Sequence, residues 1–305
     1  MDPIIEVNNL CKHFEDITAV NDLSFSVNKR DIYGFLGENG AGKSTTIRML
    51  LTLIKPTGGQ IKIFGKDLYT NRHVILQQTG AIIERPDMYK YLSAYDNLSI
   101  FAKMSGIKTS RKMIMDQLGT VGLADRSSSK VKTYSQGMKQ RLGIAIALVH
   151  DPKLIILDEP TNGLDPQGIA DMRNLILQLS RDMGKTVLVS SHLLSEIELI
   201  ANRMLIIHKG KKIVEGNVSE LLDPSNTLLQ LETTDDAAAF KKLQTTAWAT
   251  NTKYDKGCLK LTISKSGIPN LVAKLTEMDV GIIAIKPRHS LEDYFLSLTN
   301  HEADA

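Results

Sequence analysis

The sequence predicts an α/β fold with a buried parallel sheet, followed by a small α+β domain. Three observations carry this prediction. The string Gly37-Glu38-Asn39-Gly40-Ala41-Gly42-Lys43-Ser44-Thr45 lies between the apolar, β-prone run Ile32-Tyr33-Gly34-Phe35-Leu36 and the helix-compatible run 46–51. Two further apolar runs, 154–157 and 186–189, end in polar residues. That is how a buried parallel strand reads when its C-terminal end meets a ligand. Beyond residue 226 the segments read strand, helix, strand, strand, helix, strand, a ferredoxin-like order.

The loop reads G-x-x-x-x-G-K-S, the phosphate-binding loop of nucleoside triphosphatases. Its glycines let backbone N–H groups approach phosphate oxygens with no Cβ in the way. The helix that follows adds about half a positive charge at its N-terminus. Lys43 is placed to bridge the β- and γ-phosphates, and the Ser44 hydroxyl to hold Mg²⁺.

Composition narrows the rest. The chain has 305 residues, 42% of them hydrophobic, enough for one large or two ordinary domains. A formal net charge of +3, with Lys and Arg spread out, argues against a nucleic-acid partner. Cys11 and Cys258 lie far apart, which predicts neither a disulfide framework nor a zinc site. No secretory signal is read at the N-terminus and no apolar run approaches 18 residues. A cytosolic protein is therefore expected, unless a partner holds it at a membrane.

In chain order, 4–8 and 23–27 read as short strands. Between them Phe14 stands in a polar loop, as either a core aromatic or a platform on which adenine stacks. After the loop and its helix, 60–64 reads as a strand and 82–83 closes another at Glu84. The stretch of about 86–150 reads as mostly helical, with Ser93 as an N-cap and a helix around Asp116, Leu118 and Val121. Within it, Tyr134-Ser135-Gln136-Gly137-Met138 opens a helix whose start can bind an anion. The apolar run ending in Asp158-Glu159-Pro160 places two acids on opposite faces of a strand end. Asp158 is read as orienting Mg²⁺ and Glu159 as the general base for an attacking water. Asn162-Gly163-Leu164-Asp165-Pro166 is a turn before a helix at 169–179. The strand 186–192 ends in His192, placed to contact the γ-phosphate.

In order and spacing these five motifs resemble the nucleotide-binding subunit of ABC transporters, over roughly residues 4–220. The resemblance implies a P-loop NTPase of the ABC type, with an antiparallel β subdomain and a helical subdomain, binding ATP and Mg²⁺. It implies a head-to-tail homodimer, each ATP lying between one loop Gly37–Thr45 and the partner's Ser135 and Gly137. It also implies separate integral membrane permease subunits, and a place on the cytoplasmic face of the membrane.

Two departures stand out. Gln136 and Met138 replace residues of the usual Leu-Ser-Gly-Gly-Gln signature. Glu84 stands where relatives carry a Gln that senses Mg²⁺ and water. The flanking stretch 80–89 is similar to the bacitracin-resistance and lantibiotic-immunity branch, where an acid holds this position. Glu84 is thus either a metal-side catalytic acid or a solvated loop acid. The expected function is the ATPase motor of a bacterial exporter for a peptide antibiotic. The alternatives are another cargo (drug, polysaccharide or lipid) or a soluble ABC protein acting on ribosomes or DNA.

The expected domains are 1–222, the ATPase, and 226–305, an accessory domain for dimer contact or regulation, with a linker at 221–226. In the latter, strands are expected at 228–232, near 248–252, at 258–263 and at 281–285, with helices at 236–245, 268–278 and 291–298. The close Leu291-Glu292-Asp293-Tyr294-Phe295 resembles the end common in exporter ATPases.

Overall fold

The computed structural model describes residues 3–84, 87–221, 227–255 and 258–288. Packing divides the chain into two units, Met1–Val218 and Ser219–Ala305. The linker expected at 221–226 and the helix and aromatic close expected at 291–298 lie, all but Leu221, outside the described residues.

The first unit begins with a long antiparallel hairpin, β1 (Pro3–Phe14) and β2 (Ile17–Asn28). Both strands run well past the limits that the apolar pattern predicts. Pairing continues through polar residues such as Lys12↔Val20 and His13↔Thr18, and bulges shift the register, which hides the period-2 alternation. Phe14 is therefore the last residue of a strand, not a loop residue. The five-residue β3 (Ile32–Leu36) is buried throughout. It leads to α1 (Lys43–Leu50), which buries Thr46, Ile47, Met49 and Leu50. Then come β4 (Gly58–Ile63), β5 (Lys66–Asp67), α2 (Arg72–Leu76) and β6 (Thr79–Ile82).

Three helices follow: α3 (Ala94–Met104), α4 (Arg111–Thr120) and α5 (Gln136–Leu148). Ser93 caps α3 as expected, in a reciprocal capping box with Asp96. The unit closes through β7 (Leu154–Asp158), α6 (Pro166–Arg181), β8 (Thr186–Ser191), α7 (Leu194–Glu198), β9 (Arg203–His208) and β10 (Lys211–Asn217), and the short α8 (Val218–Leu221) lies across the division between the units. Helix α6 starts three residues earlier than the apolar stripe indicates. Asp165 Oδ1 accepts from the Gly168 N–H at 3.0 Å and Pro166 occupies the first turn, so the predicted turn is itself the cap.

Two sheets result. The antiparallel one has the order β2-β1-β4-β5, and the larger one β10-β9-β3-β8-β7-β6. In the larger sheet β6, β7, β8, β3 and β9 are parallel, and only β10 runs against its neighbour. The parallel register aligns Leu36 with Ser191 and Asp158 with Ser190. All the strand ends with chemistry on them therefore meet at one sheet edge. Tyr33 and Phe35 stack against Phe25 of the hairpin, so one apolar core joins the two sheets. Among the described residues no helix is long and apolar enough to cross a membrane.

The second unit contains β11 (Thr227–Thr233), α9 (Asp236–Leu243), β12 (Thr252–Asp255), β13 (Cys258–Ile263), α10 (Ile268–Glu277) and β14 (Ile282–Arg288). Its sheet is antiparallel in the order β12-β13-β11-β14, the arrangement of a split β-α-β fold. Leu229, Leu231, Leu259 and Leu261 pack against Leu243 and Leu271. One strand is displaced from expectation. Residues 249–251 form a 3₁₀ turn and the strand starts only at Thr252. The Asn251 N–H and the Thr252 hydroxyl both donate to the Trp248 carbonyl, and this local bonding outweighs the β-propensity of the segment.

Candidate functional site

The chain leaves β3 at Leu36 and turns through 37–42 into α1. Gly42 is the N-cap with φ +105°, and a Cβ there would meet the Ala19 carbonyl oxygen at 2.5 Å. A Cβ on Gly37 would meet the Ile207 carbonyl oxygen at 2.6 Å. Only glycine satisfies both constraints, and the result is a bare backbone cradle at a helix N-terminus, which suits a phosphate. Lys43 is buried across this cradle. Its Nζ donates to the carbonyls of Gly37 at 2.6 Å and Glu38 at 3.2 Å, and lies 3.2 Å from Glu159 Oε1.

Ser44, Glu84, Asp158 and Glu159 line one cavity of about 410 Å³, together with Gln136, Gln140 and the Asn162-Gly163 turn. Asp158 is only 1% exposed. Its Oδ1 accepts from Ser190 Oγ at 2.6 Å, while its Oδ2 has no hydrogen-bond partner among the described residues. A buried carboxylate oxygen in that condition calls for a cation or a donor. Among the described residues no three His, Cys, Asp or Glu side chains gather around one point to hold a metal by themselves. Ser44 and Asp158 are hard oxygen donors on one cavity, a set that suits a small divalent cation such as Mg²⁺, which takes one or two protein oxygens and keeps phosphate and water for the rest.

Glu159 has φ +49°, a left-handed conformation that costs on the order of 1 kcal/mol and is held by its surroundings. Its N–H donates to Ser190 Oγ at 2.9 Å, and His192 Nδ1–H donates to its Oε2 at 2.8 Å. The structure thus brings Lys43, Ser44, Asp158, Glu159 and His192 together. Glu84 is on the same wall, also left-handed at φ +56°, but its carboxylate is paired with the Arg48 guanidinium.

Ser135 and Gly137 are elsewhere. Ser135 caps α5, and both residues line a second cavity of about 390 Å³ with Leu164, Asp165 and Gly168. Gln136 and Gly163 line both cavities. Phe14 is 44% exposed, which removes the core reading, and Lys12 Nζ lies 4.6 Å from its ring centroid.

Several site residues escaped the sequence reading: Ser190, which anchors both acids; Arg48, which pairs Glu84; and Gln140, whose Nε2 donates to the Pro160 carbonyl at 3.2 Å. A serine pair closing an otherwise apolar strand was the only available signal for the first. The other two depend on helix phase across the site.

Residues 20–162 match the family model described as ABC transporter. The bacitracin transport ATP-binding protein BcrA of Bacillus licheniformis is 42% identical over 98% of both chains. The lantibiotic transport ATP-binding protein SrtF of Streptococcus pyogenes is 43% identical over 70% of this chain and 90% of its own. Among solved structures, cbiO1 from Clostridium perfringens, part of the ABC transporter complex cbiONQ, shares the fold with a TM-score of 0.67 at 24% identity, over 80% of this chain and 95% of that one. With these relatives and the phosphate cradle facing two strand-end acids, the chain belongs to the ABC transporter ATP-binding family, whose members bind and hydrolyse ATP.

Proposed function

We propose that the chain is the ATP-hydrolysing motor of a bacterial exporter that protects cells against a peptide antibiotic, such as bacitracin or a lantibiotic. The observation that carries the cargo is the extent of the likeness to the bacitracin transport ATP-binding protein. It runs through 98% of this chain and so includes the second unit. In this reading the loop amides of Gly37–Thr45 and the Lys43 ammonium hold the phosphates, and Phe14 stacks on adenine. Ser44 and Asp158, with Glu84 on the same cavity wall, would hold Mg²⁺, which would supply neutralisation of the phosphate charge. Glu159 takes the proton of the attacking water, and His192 orients its carboxylate. Ser135 and Gly137 of a second copy complete each site, where one chain alone offers too few donors to the developing charge. Integral permease subunits hold the motor at the cytoplasmic face of the membrane. The unit beyond 226 is an accessory domain.

The test expresses the chain with its permease genes in a sensitive strain. Wild type protects against a peptide antibiotic. Glu159→Gln cuts ATP turnover by ~10²–10⁴, traps an ATP-bound dimer and abolishes protection. Near-normal hydrolysis in that variant contradicts the base assignment. Active hydrolysis with no protection against any peptide antibiotic moves the cargo to another class.

A further inference from the structure

Behind the Glu159–His192 pair lies a third carboxylate. Glu196, in α7, accepts from Thr161 Oγ1 at 2.5 Å and from Ser191 Oγ at 3.2 Å, both on its Oε2. Thr161 lies two residues past Glu159, and Ser191 immediately precedes His192. Ser191 Oγ also accepts from the Leu193 N–H at 3.0 Å, just beyond His192. One carboxylate oxygen therefore fastens the loop leaving β7 to the last residue of β8, next to the 2.8 Å hydrogen bond between Glu159 and His192. Thr161, Ser191 and Glu196 also line an apolar cleft of about 300 Å³ between α6 and α7, beside Ile169, Ile176 and Val189. Apolar walls lower the local dielectric, which strengthens charge-assisted hydrogen bonds such as these.

We infer that Glu196 is a positioning residue for ATP hydrolysis: it sets the spacing of the two strand-end loops and so holds Glu159 against His192. The inference rests on Glu159 being the general base. Glu196 is assigned no contact with ATP. It acts through Thr161 and Ser191, and the demand is steep, because a shift of about 1 Å in a catalytic group can cost ~10²-fold in rate.

The test measures steady-state ATP hydrolysis and ATP affinity with the full-length chain. Glu196→Ala lowers kcat about 10–100-fold, while KM and affinity for ATP stay within about twofold because the phosphate cradle is untouched. Glu196→Gln keeps an oxygen that accepts both hydroxyls and retains kcat within about threefold. Thr161→Val removes one donor at constant shape, lowers kcat on its own, and adds little on top of Glu196→Ala. It therefore carries the test even where Glu196→Ala does not fold. Wild-type kcat in both Glu196→Ala and Thr161→Val, full additivity of the two, or a fall in ATP affinity parallel to kcat would overturn the inference. Glu159→Gln is measured beside them. If it hydrolyses ATP normally, the base assignment fails; if it is inactive while Glu196→Ala and Thr161→Val both match wild type, only the positioning role fails.

Discussion

Ser190→Ala separates the anchoring of the two strand-end acids from everything else in the site. Ser190 is fully buried, and the parallel register sets it beside Asp158. Its hydroxyl donates to Asp158 Oδ1 at 2.6 Å and accepts from the Glu159 N–H at 2.9 Å. Alanine removes both bonds at once. Asp158 Oδ2 already lacks a partner, so the whole carboxylate is then left unpaired in the interior. A buried group stripped of its hydrogen bond costs ~1–3 kcal/mol, and more when charged. Two such groups amount to roughly 2–6 kcal/mol. Loss of one oxygen opens little space, so packing adds less than about 1 kcal/mol. For a domain of this size each kcal/mol shifts Tm by roughly 2–4 °C, so a fall of about 4–24 °C is expected. Thermal and urea unfolding of the full chain measure it, with ATP turnover measured alongside, which falls as the Glu159 backbone loses its anchor. Saturating MgATP narrows the gap, because a cation on Asp158 supplies a missing partner and ligand binding stabilises the folded chain. An unchanged urea midpoint for Ser190→Ala would refute the reasoning.

Phe14→Ala weakens ATP binding by ~1–3 kcal/mol, about 5–150-fold, while Phe14→Trp preserves it; tripolyphosphate, which has no base, must bind both variants alike. Glu84→Gln and Glu84→Ala change ATPase rate and conferred resistance by different amounts, and unchanged values for both would remove Glu84 from the coupling. Burial, and after it the neighbouring Glu215 carboxylate, holds the Tyr33 hydroxyl well above its ordinary range. The folded chain therefore keeps this proton where the unfolded chain loses it. That contribution is complete below about pH 10 and is lost as pH rises further. Urea unfolding at stepped alkaline pH shows it in wild type, and the part due to Tyr33 disappears in Tyr33→Phe.

The phosphate loop and the strand-end acids were legible because their constraints are local. A cradle needs glycines in sequence, and Asp158 and Glu159 are adjacent at the end of one apolar run. The boundaries of β1 and β2 were not legible, because bulges break the alternation on which a strand reading rests. The 3₁₀ turn at 249–251 was missed for a related reason: hydrogen bonds to the Trp248 carbonyl compete with a β-prone composition. Ser190 and Glu196 act through contacts across 31–35 residues of sequence, and only the parallel register reveals them. No periodicity encodes a partner on the next strand.

Glu84 shows how a residue flagged by sequence gains a different physical meaning in place. By itself a third acid beside Asp158 and Glu159 adds negative charge to the wall of the cavity that they line. Arg48 answers that charge from the last turn of α1, the helix whose first turn bears Lys43 and Ser44. Arg48 is 43% and Glu84 62% exposed, so water screens the ion pair and it is worth only about 0–1 kcal/mol. A pair that weak offsets the charge of the acid without fixing its position. A glutamine at the same position carries no charge to neutralise, so an arginine opposite it would have no such function. The eight residues of α1 therefore connect the phosphate cradle at one end to the Glu84 carboxylate at the other.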